Sequence, residues 1–151
     1  MLKRYFLLFI LLFNIAIFTG CTNESPAPVP ETIEHQMAFI DKGTSYSQND
    51  PAIREYRDLL NRITPKSNDS EEKIGDMIAA SRNILKEKGI QVSYMDMLVG
   101  INNALSVRED KRDLSLMLST YCSFRIKGNS HTESMAMIRG MNKTWIFDPK
   151  Q

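Results

Sequence analysis

Residues 92–105 read VSYMDMLVGINNAL and carry several helix signals in a short space. Ser93 is a preferred N-cap residue, and Asp96 follows it three positions later. Val92 and Met97 occupy the two positions of a hydrophobic staple, which fixes how the chain enters a helix. One buried helix face is predicted by the apolar residues at steps of three and four, which are Met97, Leu98, Ile101, Ala104 and Leu105. This cap and staple are predicted to organise a central helical hairpin.

Similar signals on both sides of this stretch predict further helices. Asp50 is a suitable N-cap, and Pro51 then stands at the first helical position, where proline is well tolerated. Capping-box spacing recurs in two pairs, Asp69 with Glu72 and Ser130 with Glu133. Glycines suited to a left-handed C-cap follow three of the predicted helices, at Gly43, Gly89 and Gly128.

Together these patterns predict an all-α fold. Apolar residues recur with helical period between the caps, and no segment before the C-terminal tail alternates with period two. We expect a compact bundle of five to six short helices, with two helical hairpins in tandem as one arrangement, and the fifth helix beginning near Asp110. Residues 31–151 are predicted to form a single α-helical domain, which is long enough for a hydrophobic core.

Two blocks of the sequence resemble each other at an offset of 40 residues. Residues 95–102 read MDMLVGIN, and residues 135–142 read MAMIRGMN. Each follows a Lys-Gly helix stop and a serine cap, and a period near 40 is common in arrays of helical hairpins. The blocks indicate either a duplication or two hairpins that solve the same packing problem. Gly100 and Gly140 lower helix stability by propensity, so close approach of a neighbouring helix is expected at both.

The N-terminus has the parts of a secretory signal. Lys3 and Arg4 precede an apolar run over residues 5–18, which falls short of the roughly 20 residues of a membrane span. Thr19-Gly20-Cys21 then resembles the lipobox of bacterial lipoproteins. The resemblance implies cleavage between Gly20 and Cys21, with a diacylglycerol and a further acyl chain on Cys21. An ordinary signal peptide and an uncleaved helical anchor are the alternatives.

The lipobox divides the chain into a signal peptide of residues 1–20, a lipidated tether of residues 21–30 and the helical domain. Alternating prolines in the tether favour polyproline II, in which nine residues span roughly 28 Å. Two or three acyl chains anchor a protein stably, whereas one alone binds a bilayer marginally. By the same resemblance Thr22, where Asp would favour the inner membrane, points to the outer membrane of a Gram-negative envelope.

Charge and residue types limit the possible functions. Without residues 1–20, which hold two basic residues and no acidic one, the chain has 17 basic and 18 acidic residues and a net charge of −1. A near-neutral domain argues against nucleic acid as a partner. Two Met-x-Met pairs suggest Cu(I), but helical residues two apart point about 200° apart, which favours core packing. No metal or cofactor is predicted apart from the lipid on Cys21.

Catalytic residues are not evident in the sequence. If Cys21 is lipidated, Cys122 is the remaining cysteine, and its helical spacing from Leu114 and Leu118 indicates a buried side chain. A reactive thiol is the alternative. Cys122 could pair with His131 as nucleophile and base, although no third catalytic group is apparent. His131 itself is expected to be an exposed residue of a first helical turn.

The sequence therefore favours a non-catalytic role in the envelope. We expect a protein-binding or accessory factor, of the pilotin-like, immunity or phage- and toxin-exclusion type, with an envelope protein as partner. An envelope enzyme or thiol-redox protein that uses Cys122 is the alternative. Since at most one methionine of each pair can face the core, Met95 and Met135 are expected to point outward or beneath an apolar tail. The candidate partner surface is formed by Met95, Met135, Trp145 and Phe147.

Overall fold

The computed structural model describes residues 32–47, 49–106 and 111–144. Over these residues the chain forms six α-helices and no β-strand, so the predicted all-α bundle is confirmed. The helices are α1 (Ile33–Lys42), α2 (Pro51–Ile63), α3 (Glu71–Glu87), α4 (Tyr94–Leu105), α5 (Leu114–Ile126) and α6 (His131–Thr144). No helix within these ranges is both long and apolar enough to cross a membrane. The predicted signal peptide, Cys21, the tether and the residues of the C-terminal tail lie outside them.

Most predicted helix boundaries are confirmed by their hydrogen bonds. Ser93 Oγ accepts from the backbone N–H of Asp96 at 2.9 Å, and Asp50 caps α2 in the same way. Ser130 and Glu133 exchange two bonds, of 3.2 Å and 2.7 Å, as a complete capping box. Gly43, Gly89 and Gly128 all have positive φ, which ends the preceding helices without the steric cost of a Cβ atom.

Two helices begin later than predicted. The N-cap of α3 is Ser70, because the neighbouring Asp69 carboxylate bonds to Lys73 Nζ at 2.5 Å and to Ser67 Oγ at 3.1 Å. The N-cap of α5 is Asp113 rather than a residue near Asp110, which lies outside the described ranges. Before Asp113, the backbone N–H of Arg112 donates to the Lys66 carbonyl at 2.9 Å. This bond belongs to a β-bridge between Arg112 and Ser67, which follows the 3₁₀ turn after α2. The chain is therefore extended at Arg112, and α5 begins after it.

The two predicted hairpins lie side by side. The first is α3 with α4, the second is α5 with α6, and short connections make each pair antiparallel. α3 packs on α5 and α4 packs on α6, so equivalent helices of the two hairpins are neighbours. α1 and α2 cover the other side of α4, which therefore contacts four helices. Its staple residues Val92 and Met97 are both buried, as expected of a central element.

Gly100 explains how α6 approaches α4 so closely. A Cβ atom on Gly100 would lie 2.8 to 2.9 Å from three side-chain atoms of Met135, so any larger residue would force that methionine to shift. The expectation of close approach is thus confirmed at Gly100. At Gly140 it stays a prediction, because an added Cβ would meet no atom within 4 Å among the residues that the structure describes.

Candidate functional site

The predicted partner surface is only partly described. Trp145 and Phe147 lie outside the described residues, so their contribution stays a prediction. Met95 is half-buried at the start of α4. The outward orientation expected of Met135 is wrong, because its side chain is 8% exposed and fills the notch at Gly100. Met137, at 42% exposure, is the outward-facing member of that pair.

Met95 lies beside a capping site that the sequence did not reveal. The Asp41 carboxylate, at the end of α1, accepts from the backbone N–H groups of Tyr94 and Met95 at 3.0 Å each. It also accepts from Tyr56 Oη of α2 at 2.8 Å. Burial, and then the bond to Asp41, raise the pKa of the Tyr56 phenol well above its usual range. One carboxylate thus ties α1, α2 and the positive end of the α4 dipole together.

Cys122 and His131 are engaged by different partners. The Cys122 thiol is buried and donates to the Ser81 carbonyl oxygen at 3.7 Å. Burial raises the pKa of this thiol, which keeps it protonated and unreactive. His131 Nδ1 lies 2.9 Å from Tyr121 Oη, with the two rings edge-on. The described contacts therefore do not assemble the nucleophile–base pair considered from the sequence.

His131 is also less exposed than expected. It is half-buried at the start of α6, because the Tyr121 ring packs against it from α5. Burial lowers the pKa of its imidazole below the ordinary value, so the ring is neutral near pH 7. A neutral imidazole also avoids placing a positive charge at the positive end of a helix dipole. His131 thus contributes to the α5–α6 contact.

An apolar depression runs between α3 and α5, and we term it the α3–α5 groove. Its volume is about 530 Å³, and it is defined by Met77, Ala80 and Ile84 of α3 with Leu118, Cys122 and Ile126 of α5. Ile84 and Ile126 are 47% and 46% exposed along it, which is high for large apolar side chains. Ser115, Ser119 and Ser123 follow one another along the α5 side. The groove is an exposed apolar surface built from two hairpins.

A second, smaller depression lies between α5 and α6, and we term it the α5–α6 groove. Its volume is about 230 Å³, and it is defined by Arg112, Leu116 and Thr120 of the α5 side with Ile138, Met141 and Asn142 of α6. Leu116 is 50% exposed beside it. Asn142 Nδ2 donates to the Ala104 carbonyl oxygen at 3.1 Å, which fixes this end of α6 on α4.

A third depression, of about 500 Å³, is polar and acidic. It lies between the first turns of α1 and α3 and is lined by Glu34, Glu71, Glu72 and Asp76 among others. Glu34 is buried and pairs with Arg57 Nε at 3.0 Å, so it has a structural role. Over the described ranges, no three His, Cys, Asp or Glu residues are grouped so as to hold a metal ion.

Both apolar grooves escaped prediction from the sequence for the same reason. Helical period identifies which residues of one helix are apolar, but a groove depends on which helices become neighbours. The weak signal that was present is the pair of apolar residues that α5 carries away from its core face, Leu116 and Ile126. Compared with known proteins, the chain matches no protein-family model, no curated protein and no solved structure.

Proposed function

We propose that this is a lipid-anchored protein of the bacterial envelope that binds an amphipathic helix of a partner protein and catalyses no reaction. The observation that carries the proposal is the α3–α5 groove with its exposed Ile84 and Ile126. A helix laid in an apolar groove is a common mode of peptide recognition. Pilotin-like, immunity and exclusion roles all require binding to a partner protein.

The dimensions of the groove favour a helix as the occupant. Its α5 side extends from Ser115 to Ile126, which is about 16 Å at roughly 1.5 Å per residue. That length matches about three turns of a partner helix. Ala80 and the serines of α5 are small, so a helix backbone can approach closely while its larger side chains contact Ile84 and Ile126.

Two serine hydroxyl groups in the groove already donate hydrogen bonds within their own helices. Ser81 Oγ donates to the Met77 carbonyl oxygen at 2.8 Å, and Ser119 Oγ donates to the Leu116 carbonyl oxygen at 2.9 Å. Because these donors are used within their own helices, an apolar partner face would leave them satisfied. Lys127 is the charged residue at one end of the groove. We therefore expect an apolar helix face with an acidic residue beside Lys127.

The anchor is supported by the lipobox resemblance. Replacing Cys21 with Ala should block lipid attachment and leave the precursor with its signal peptide, as measured by mass spectrometry and detergent-phase partitioning. Cys122→Ala is the matched control, which should be processed and partition like the parent. Cleavage after Gly20 and unchanged partitioning in Cys21→Ala would show that the protein is not lipid-anchored through this residue.

The binding role is tested by cross-linking in the intact envelope. A photoreactive residue at Ser119 should cross-link one protein through a helical segment with an apolar face, which mass spectrometry identifies. Ile84→Glu should lower the yield at least about tenfold, the effect of losing roughly 1.4 kcal/mol at one anchoring contact. The control is Ile40→Glu on α1, since Ile40 is equally exposed at 47%. Equal yields in the two variants would contradict binding in this groove.

Thiol chemistry at Cys122 is the competing role, and its burial and raised pKa disfavour it. Redox-active cysteines need an accessible thiolate. In the native full-length protein Cys122 should therefore resist alkylation at neutral pH and react once denaturant is added. Rapid alkylation without denaturant would favour the thiol-redox role over the binding role.

A further inference from the structure

We infer that the helix received by the α3–α5 groove runs antiparallel to α3 and α5, begins with an acidic turn beside Lys127, and changes from large apolar to small residues along its length. The inference rests on the proposed function, because it states the direction and chemistry of the partner segment that binds in that groove. Three properties of the groove carry it: the direction of its two helices, the charge at one end and the kind of exposed side chain along it.

The two helices that form the groove run in the same direction. Their starts are joined by the bridge between Ser67, which precedes α3, and Arg112, which precedes α5. Further along, the Cys122 thiol of α5 donates to the Ser81 carbonyl oxygen of α3 at 3.7 Å. The positive dipole ends of both helices therefore lie together, as do the negative ends. A partner helix is stabilised in the antiparallel direction, because its positive N-terminal end then lies beside the two negative ends.

The charge of the groove favours the same direction. Lys127 is exposed and lines the groove beside Ile126, at the C-terminal end of α5. Acidic residues are stabilising in the first turn of a helix and unfavourable in its last turn. A partner helix that begins at this end can therefore pair acidic residues with Lys127 and also complement its own dipole. In the opposite direction, the turn beside Lys127 would be the last one, and the two requirements would conflict.

The exposed side chains differ along the groove. Ser115 and Ser119 are small, exposed and near the start of α5. Ile84 and Ile126 lie near the other end and are 47% and 46% exposed. Large apolar side chains of a partner gain most free energy where they cover the isoleucines. Over the serines, small partner residues allow the helix axes to approach closely. An antiparallel partner therefore presents its large residues first and its small residues last.

A cross-link measures the direction directly. The probe is a synthetic peptide of about 16 residues, long enough to cover the groove at roughly 1.5 Å per residue. It has glutamates in its first turn, then leucines, and alanines in its last turn. With a cysteine at its N-terminus, it should form a disulfide with Ser123→Cys of the full-length protein in lipid nanodiscs, and not with Ser115→Cys. Both are exposed serines of the same helix, so they are matched. A C-terminal cysteine should reverse the preference, and the parent protein with its buried Cys122 gives the background.

Binding affinity tests the charge and the order of residues. Fluorescence anisotropy, with empty nanodiscs as the blank, should show that the peptide binds at least about threefold more tightly than one with lysines in its first turn. Lys127→Glu should reverse this preference. Lys42→Glu, at an exposed lysine in the last turn of α1, should leave it unchanged. A peptide in which leucines and alanines are exchanged should bind the parent at least about threefold more weakly.

Failure of the inference can be distinguished from failure of the proposed function. Tight binding with the N-terminal cysteine joined to Ser115→Cys, or equal affinity for the acidic and basic peptides, would overturn the inference and leave a helix-binding groove. If no peptide binds while the photoreactive residue at Ser119 still captures a helical partner, the partner helix has another chemistry, and the inference is again overturned. If no peptide binds and Ser119 captures no partner, both are overturned.

Discussion

Residues 95–102 and 135–142 are alike in sequence, and both lie on the second helix of a hairpin, yet they are buried differently. In the first block Met97 is fully buried and Met95 is half-buried. In the second block the pattern is reversed, with Met135 buried and Met137 exposed. The two blocks also contact each other, because Met135 of the second occupies the notch at Gly100 of the first.

The difference teaches that the neighbours of a helix decide which residues of a pattern are buried. In a stack of like hairpins, one side of α4 faces α6 and the other side faces α1 and α2. α6 has a described neighbour only on the side of α4 and α5. Equivalent residues of the two helices therefore have different surroundings, whatever their origin. Substitutions at matching positions should have unequal effects, and each pair below tests one such difference.

The largest difference is expected between Met97→Ala and Met137→Ala. Met97 is fully buried in the core, so its truncation should lower the free energy of unfolding by about 2–5 kcal/mol. Met137→Ala should change that free energy by less than about 0.5 kcal/mol, as is usual for surface positions. Denaturation by urea, followed by circular dichroism, measures both. Equal losses would show that the two methionines have equivalent surroundings.

The next largest difference in stability is expected between the caps of α4 and α6. Asp41→Ala removes the acceptor for two backbone N–H groups of α4 and for Tyr56 Oη. We expect a loss of about 2–3 kcal/mol, since unsatisfied buried donors cost roughly 1–3 kcal/mol. Ser130→Ala removes a local cap of α6 and should cost about 1 kcal/mol. A smaller loss of unfolding free energy for Asp41→Ala than for Ser130→Ala would show that the Asp41 cap is not the more stabilising of the two.

The contact between the two blocks can be tested by a double substitution. Gly100→Leu should destabilise the protein by about 1–3 kcal/mol, because the new side chain overlaps Met135. In a Met135→Ala background the same change should cost at least about 1 kcal/mol less, since the space is then available. Chemical denaturation of the four variants gives the coupling. Additive losses would mean that Gly100 is required for another reason.

The smallest effect is expected at Gly140 and has the opposite sign. Gly140→Ala should stabilise the protein by about 0.5–1 kcal/mol, because alanine has the higher helix propensity and its Cβ would meet no atom of the described residues within 4 Å. The thermal unfolding midpoint should rise slightly. A destabilisation of similar size would indicate that residues beyond Thr144 pack closely at this position.

The sequence predicted what depends on near neighbours in the chain. Ser93 with Asp96, and Ser130 with Glu133, were found because a helix cap is formed within three residues. Asp41 was missed because its two backbone donors on α4 lie more than fifty residues away, and nothing in its local sequence indicates them. The same limit applies to Met135. Helical period indicated that at most one methionine of its pair can face the core, but only the packing of α6 on α4 determines which one.

The reach of Asp41 has a consequence in time. Chain synthesis proceeds from α1 towards α6, and the donors Tyr94 and Met95 are made 53 and 54 residues after Asp41. At about 5–20 residues per second, that delay is on the order of 3 to 10 s. During it, the Asp41 carboxylate lacks its two backbone donors, and α1 lacks the α4 surface against which it packs. Although α1 is synthesised before the other described helices, its contacts with α4 can form only after α4 has been synthesised.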